Sequence, residues 1–351
     1  MKTAVMYGAG NIGRGFMGQL FYQSGYRTIF IDIDEGIVSA LNARGAYPLR
    51  IVSNGGVSES QIAEVSGLLA ADKSAVARAI TGCDILCTAV GVNVLPNIVP
   101  HIAAGIKERA GTGTELNIII CENKIHAGGW LRDMVKQELG PEHDVYIDDK
   151  IGFVEASVGR MVPAPTDGMK EGDLLRVWAE PYYTLPVDRA AFKGAIPAIQ
   201  GMLAESDFEY HIQSKLFLHN MGHSLTAYLG KLNDYTYIYE AVSNENIRHI
   251  VRQAMYSSAR ALSFEHKKPL DDVLAYADDL LDRFGNQYLM DTVERVGRDI
   301  RRKLGEHDRL VGAARLCRKH GIDTLYIKLG IAAALLFGEE FDLSGLNLDD
   351  I

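Results

Sequence analysis

Along the first half of the chain, short runs of consecutive apolar residues alternate with longer stretches of helical spacing. Residues 4–7, 28–33, 85–90 and 117–121 are apolar on successive positions, so a strand there is covered on both faces. Between them, residues 12–24, 35–43, 73–81, 95–109 and 129–139 repeat apolar side chains three and four apart. Strands covered on both faces and joined by helix-length segments predict a parallel sheet with helices on each side, a doubly wound α/β domain.

The pattern then changes twice. Residues 145–151 and 174–179 lean toward strand, punctuated by Pro163, Pro165, Pro181 and Pro186. They read as an extension of the sheet and the passage to a second domain. From about Ser206 the spacing is helical: 208–229, 246–264, 270–284, 308–320 and 325–337, with Gly230, Pro269, Gly285 and Gly321 where helices should end. The prediction is an α/β domain over residues 1–195 and a mainly α-helical one over 196–351. The last ten residues read as a loose acidic tail, and no internal repeat is evident.

Composition narrows the partners. A chain of 351 residues fits two domains, and its net charge of −9 argues against nonspecific nucleic-acid binding, which needs a cationic face. A local basic pocket for a small anionic substrate is still compatible with that balance. The four cysteines, Cys83, Cys87, Cys121 and Cys317, read as reduced residues rather than a disulfide framework, three of them lying in strand-like runs. The sequence opens directly on a strand with no signal peptide, and no apolar run nears the roughly 20 residues of a membrane span. A cytoplasmic protein with no membrane partner is expected.

Candidate chemistry begins at Gly8, Ala9, Gly10, Asn11, Ile12 and Gly13, a GxGxxG turn that follows the first strand and opens a helix. Gly8 permits the tight turn, Gly10 lets backbone approach a pyrophosphate, and Gly13 allows close helix–sheet packing. The helix start then presents N–H groups to the anion. Arg14 is a candidate further phosphate contact. Asp32 closes the second strand at the interval of a ribose-reading acid, and a carboxylate there disfavours a 2′-phosphate, so the expected cofactor is NAD rather than NADP. Ala89 and Val90 end a later strand on the sheet edge where such a ligand belongs. The simpler reading of Asp32 or Asp34 is a helix cap.

A dehydrogenase built on that domain needs a base for the alcohol proton and donors for the developing alkoxide. No zinc-ligand spacing stands out, so no metal is expected. Tyr146 and Lys150 form a Tyr-x-x-x-Lys pair, but in a strand-like run. The stronger candidate is the stretch from Lys215 through Asn220 to His223, in which Asn220 lies about 140° and His223 about 80° around a helix axis from Lys215. All three leave one broad side of an otherwise apolar helix, where polar groups must be paired or functional. A desolvated lysine can serve as base, Asn220 can donate to an oxyanion, and His223 can bond a substrate oxygen. A helix end touching solvent would also produce the pattern.

That spacing resembles the signature of the polyol-specific long-chain dehydrogenases, the mannitol dehydrogenase family. So do GAGNIGRGF (8–16), TAVG (88–91), NIIICEN (117–123), GFVEASVGRMVP (152–163), FKGAIP (192–197), GHSLTAYLGKL (222–232) and VERVGRDIRRKL (293–304), which are collinear over nearly the whole chain. The resemblance implies a Rossmann domain followed by a helical domain of the 6-phosphogluconate dehydrogenase C-terminal type. It implies Lys215 as general base, Asn123 and Asn220 as the cradle of the reacting oxygen, and Asn123 also beside the coenzyme. His223, Arg295 and Lys303 are implied as substrate contacts. The implied reaction is reversible, metal-independent oxidation of mannitol 1-phosphate to fructose 6-phosphate with NAD, by a monomer or homodimer.

Arg295, Arg298, Arg301, Arg302, Lys303 and Arg309 also form a basic cluster in an acidic protein, and Arg298 and Arg302 are the candidate phosphate ligands. A solvated basic helix face is the alternative. The chain departs from the family at Gly159, where Asp is usual, at Gln287, where Pro is usual, and in a shorter C-terminal end. Another polyol, polyol phosphate or sugar acid, as in mannitol 2-dehydrogenase or fructuronate reductase, therefore competes as substrate. A noncatalytic NAD-binding regulator is the reading from another class.

Overall fold

The computed structural model describes residues 1–338, so the expected acidic tail lies outside the described residues. The chain forms two compact units. One comprises Met1–Val52 and Val57–Phe208; the other comprises Ser53–Gly56 and the described residues from Glu209 onward.

In the first unit the strands are β1 (Lys2–Tyr7), β2 (Tyr26–Asp32), β3 (Ala46–Ser53), β4 (Gly56–Ala63), β5 (Val65–Leu69), β6 (Ile85–Thr88), β7 (Leu116–Ile120), β8 (Ile151–Glu155) and β9 (Val177–Ala179), followed by a parallel pair, β10 (Leu185–Asp188) and β11 (Met202–Glu205). Six of them form one sheet in the order β5-β2-β1-β6-β7-β8, with every neighbouring pair parallel. Strand order reverses between β1 and β6, the switch point at which doubly wound sheets bind ligands beyond their carboxyl ends.

The strict period of two along each strand sorts side chains onto two cores. Ala4, Met6, Phe30, Cys87 and Ile119 face a layer with Phe16, Leu20, Phe21 and Leu41. Val5, Tyr7, Ile31, Leu86, Ile118 and Ile120 face the opposite layer, with Ile80, Ile102, Ile106 and Leu131. Both faces are dry, which is why these strands carry uninterrupted apolar runs. The four cysteines are free and buried.

Two strand expectations are corrected. Residues Asp144–Lys150 are a helix, and the strand begins only at Ile151. Of the apolar side chains in that turn Ile147 is fully buried while Val145 is 74% exposed, so nothing there pairs into a sheet. Residues 174–179 do not extend the main sheet: Val177–Ala179 joins a separate three-stranded sheet, parallel to β3 in the register Leu49↔Val177. The sequence reading also passed over β3, β4 and β5.

The second unit is helical. Glu245–His266, 22 residues long, is its centre, and Met221–Lys231, Leu270–Phe284, Val311–Lys319 and Leu325–Phe337 pack around it. Gly222 permits one of these crossings, since a Cβ there would lie 2.5 Å from the Met255 sulfur. Among the described residues no helix is long and apolar enough to cross a membrane.

Candidate active site

The glycine turn sits at the switch point. Gly8 follows β1 with φ +104°, and a Cβ on it would lie 2.5 Å from the Ala89 carbonyl oxygen, so the chain leaving β1 nearly touches the chain leaving β6. Gly13 opens the next helical turn so close that its Cβ would lie 2.0 Å from the Gly8 carbonyl oxygen. A Cβ on Gly10, by contrast, meets nothing within 4 Å. Backbone is thus tightly packed beneath the turn and open above its middle, which fits a pyrophosphate lying on the helix start. Gly13→Ala should cost about 1–3 kcal/mol of stability through overpacking and weaken NADH binding. Wild-type melting and NADH titration of that variant would contradict this packing.

Asp32 is tied to the same turn. Its Oδ2 accepts the Ala9 N–H at 2.6 Å and its Oδ1 accepts the Asp34 N–H at 3.1 Å. The helix cap that competed for Asp32 falls to Asp34, whose carboxylate accepts from Ile37 N–H. Asn11 turns aside to donate to the Pro163 carbonyl at 3.2 Å, and Ile12 packs partly buried against the core. Arg14 is not a phosphate contact. The residue is 5% exposed, and its guanidinium donates to the carbonyls of Ala9 and Leu175, bracing the turn from below. Burial pushes it below the ordinary guanidinium range, opposed by the charges of Tyr47, Asp32, Asp173 and Asp34.

Sequence reasoning missed Glu122. Its buried carboxylate accepts the Val90 N–H at 2.9 Å and the Gly91 N–H at 2.8 Å, fixing the loop after β6 to the end of β7. Burial raises its carboxyl above the usual range even though both N–H bonds favour the charged form. Ala89 and Val90 are half-buried in that loop, and Asn123, the residue after Glu122, is exposed at the same carboxyl edge. An acid ending the uniformly apolar NIIIC run was the available signal. A Cβ on Gly159, one of the departures noted in the sequence, would lie 3.3 Å from the Tyr182 ring.

Farther along, Phe208–Ser214 and Met221–Lys231 are α-helical, and Lys215–Asn220 between them is a π-helical turn. Such insertions recur at functional sites and shift the angular offsets that a uniform helix would give. Lys215 and Asn220 sit at its two ends, half-buried, and His223 follows one turn later, also half-buried. His219 between them is fully enclosed, its Nδ1 has no hydrogen-bond partner, and its imidazole is pushed well below the ordinary range. Burial is the largest cause, followed by the charges of Arg283, His223, Lys215 and Arg309.

His223 is held on three sides. Its ring stacks on Phe284 at 5.0 Å and 17°, meets His219 edge-on at 6.2 Å, and brings Nε2 to 3.1 Å from Asp291 Oδ2. Asp291 also accepts from Arg295 Nε at 2.7 Å, so the structure brings His223 and Arg295 together through one carboxylate. The rest of the basic stretch divides. Arg298, Arg301 and Arg302 are exposed, Arg302 lying 3.5 Å from Asp308. Lys303 is buried, donates Nζ to the Val296 carbonyl, and is pushed down to about 8 by burial and by the charges of Arg309 and Arg302.

The Tyr146–Lys150 pair is on a helix after all, but its groups are otherwise engaged. Tyr146 donates to the Thr114 carbonyl and Lys150 pairs with Glu115 at 2.9 Å. Among the described residues no group of three or more His, Cys, Asp or Glu side chains is arranged to hold a metal ion.

The chain is also similar to known proteins. Residues 2–201 match the mannitol dehydrogenase Rossmann domain and residues 207–350 the mannitol dehydrogenase C-terminal domain. Mannitol-1-phosphate 5-dehydrogenase of Thermoanaerobacter pseudethanolicus is 36% identical over 351 residues, all of this chain and 89% of that protein. The Brevibacillus brevis protein of the same name is 38% identical over 335 residues, 95% of this chain and 86% of its own length. Among solved structures, the Pseudomonas fluorescens mannitol 2-dehydrogenase ternary complex with NAD and D-mannitol superposes with a TM-score of 0.76 at 18% identity, covering 98% of this chain and 80% of that one. At that identity the likeness concerns the fold.

Proposed function

The chain belongs to the mannitol dehydrogenase family, and from that premise we propose that it is an NAD-dependent, metal-independent polyol-phosphate dehydrogenase interconverting mannitol 1-phosphate and fructose 6-phosphate. The observation that carries the substrate is the full-length match, at 36% identity, to a relative named for that chemistry. The glycine turn, Asp32, Ala89 and Val90 hold the coenzyme, with Asn11, Ile12 and Asn123 at its margins. NAD supplies the hydride acceptor when bound.

The chain's own residues handle the proton and the charge. Lys215, as the neutral amine, takes the hydroxyl proton of the carbon being oxidised. Asn220 and Asn123 donate their amides to the oxygen as it gains charge, the preorganised stabilisation on which such steps depend. His223 and Arg295 bind the polyol chain. Lys303, whose amine is bonded to the Val296 carbonyl, contributes to that binding. Arg298 and Arg302 take the phosphate. The reading extends to a cytoplasmic monomer or homodimer with no nucleic-acid or membrane partner; the net charge of −9 bears on nucleic acid, which needs a cationic face.

NADH oxidation measured with fructose 6-phosphate, fructose and fructuronate tests the substrate directly. Fructose 6-phosphate should be preferred. A preference for fructose or fructuronate would move the chain to the unphosphorylated branch of the family, and cofactor binding without turnover on any of them would make it a regulator. Replacing Arg298 and Arg302 together with alanine should raise KM for fructose 6-phosphate by about 10–100-fold, since a charge-assisted contact is worth about 1.5–3 kcal/mol. Equal losses on all three sugars would remove these arginines from the phosphate role.

A further inference from the structure

We propose that Asp291 is a positioning residue, a buried carboxylate that fixes the tautomer of His223 and aims Arg295, so that His223 presents its Nδ1 lone pair to a substrate hydroxyl. The inference rests on the reading above that His223 and Arg295 touch the polyol.

Its two oxygens are divided between two partners. Oδ2 faces His223 Nε2 at 3.1 Å, and Oδ1 accepts from Arg295 Nε at 2.7 Å and also from Nη2. The carboxylate is largely enclosed, with 12% of its side chain exposed against 51% for Arg295. Burial by itself would raise the Asp291 carboxyl. The bond and charge of His223 and the charge and bond of Arg295 outweigh it and hold the group below the usual carboxylate range. An ionised carboxylate only accepts hydrogen bonds, so a carboxylate oxygen 3.1 Å from Nε2 of His223 favours the proton on that nitrogen. In the neutral imidazole Nδ1 is then an acceptor, suited to a hydroxyl and unsuited to a phosphate oxygen. Phe284, stacked at 17°, sets the ring plane, and His219 closes one edge. On Arg295 the clamp engages Nε and Nη2.

The carboxylate is not what holds the segment in place. Backbone does that: the Asp291 carbonyl accepts from Ile238 N–H at 2.9 Å, and the Thr236 carbonyl from Val293 N–H at 2.9 Å. Tyr237 and Thr292 form an antiparallel bridge, and the Thr292 side chain caps Val293–Gly297. A side chain that pairs with two polar residues, on backbone already anchored, is arranged for orientation. This parallels the carboxylates that fix the tautomer of histidines in metal and catalytic sites.

The test uses the full chain with Asp291→Ala and Asp291→Asn. Side-chain ¹⁵N NMR of His223, at a pH about two units above the ordinary imidazole value, should report the Nε2–H tautomer in wild type and its loss in Asp291→Ala. In steady-state assays Asp291→Ala should raise KM for fructose 6-phosphate by about 10-fold or more, with a smaller fall in kcat and an unchanged Kd for NADH. Asp291→Asn, which keeps an acceptor for one partner, should recover part of the loss, and it carries the test if the alanine variant melts early. A wild-type Nδ1–H tautomer overturns the proposal, as does an unmoved KM in both variants. Failure of the broader reading looks different: wild type would turn over none of the sugars while the NMR tautomer still depended on Asp291.

Discussion

Lys215→Ala is expected to lower kcat for fructose 6-phosphate reduction by about 10²–10⁴-fold, the range that positioned acid–base groups contribute, while NADH binding and the melting temperature stay near wild type. The retained fold follows from its location. Lys215 is half-buried at the first position of the π-helical turn, and the core contacts of that turn are made by Phe217 and Leu218 instead. Lys215→Arg should be nearly as inactive, because a guanidinium keeps its proton at any working pH, so it neither gives one to the oxygen being reduced nor takes one from the alcohol in the reverse direction. An arginine variant with substantial turnover would mean that Lys215 supplies charge and not proton transfer. An alanine variant within about tenfold of wild type would remove Lys215 from the base role altogether.

What the sequence disclosed follows from which physical signals are local. The main sheet was legible because its strands are buried on both faces, and Val5 and Met6, or Leu86 and Cys87, each find a separate core. β4 was not legible, since six of its eight positions are exposed and its middle four residues are polar. Its strand character comes from pairing with β3, which a single sequence does not display. Asp144–Lys150 misled in the other direction: a seven-residue turn is too short to show a helical period.

In the site, the turn from Gly8 to Gly13 could be read because each glycine answers a local steric demand. The π-helical character of Lys215–Asn220 could not, because a uniform 100° step was assumed across it. Arg14 illustrates the limit of charge as a signal. It looked like a ligand for phosphate, and its donors turned out to be committed to backbone carbonyls beneath the turn. Glu122 and Asp291 escaped notice for the same reason: Val90 and Gly91, which the one serves, and His223, which the other faces, are distant along the chain.

Asp32 gives the second large effect, on coenzyme choice. A carboxylate offers about four acceptor directions, and two are occupied by the Ala9 and Asp34 N–H groups. The remainder suit the two ribose hydroxyls, whereas a 2′-phosphate would bring like charge onto the same oxygens. Asp32→Ala removes both the charged acceptor and the tie to the glycine turn. Two charge-assisted bonds at about 1.5–3 kcal/mol each, partly replaced by water, point to a rise in the NADH Kd of about 10²-fold, with a much smaller change for NADPH. Asp32→Asn separates the two contributions: its amide oxygen can still accept from Ala9, so the turn stays braced while the repulsion of a 2′-phosphate is lost. The asparagine variant should therefore bind NADPH better than wild type does and NADH worse. Fluorescence titrations of the three proteins with each coenzyme decide it, alongside melting curves that report the brace. If neither variant shifts the ratio of the two affinities, Asp32 only secures the turn, and the preference for NAD must reside elsewhere in the loop after β2.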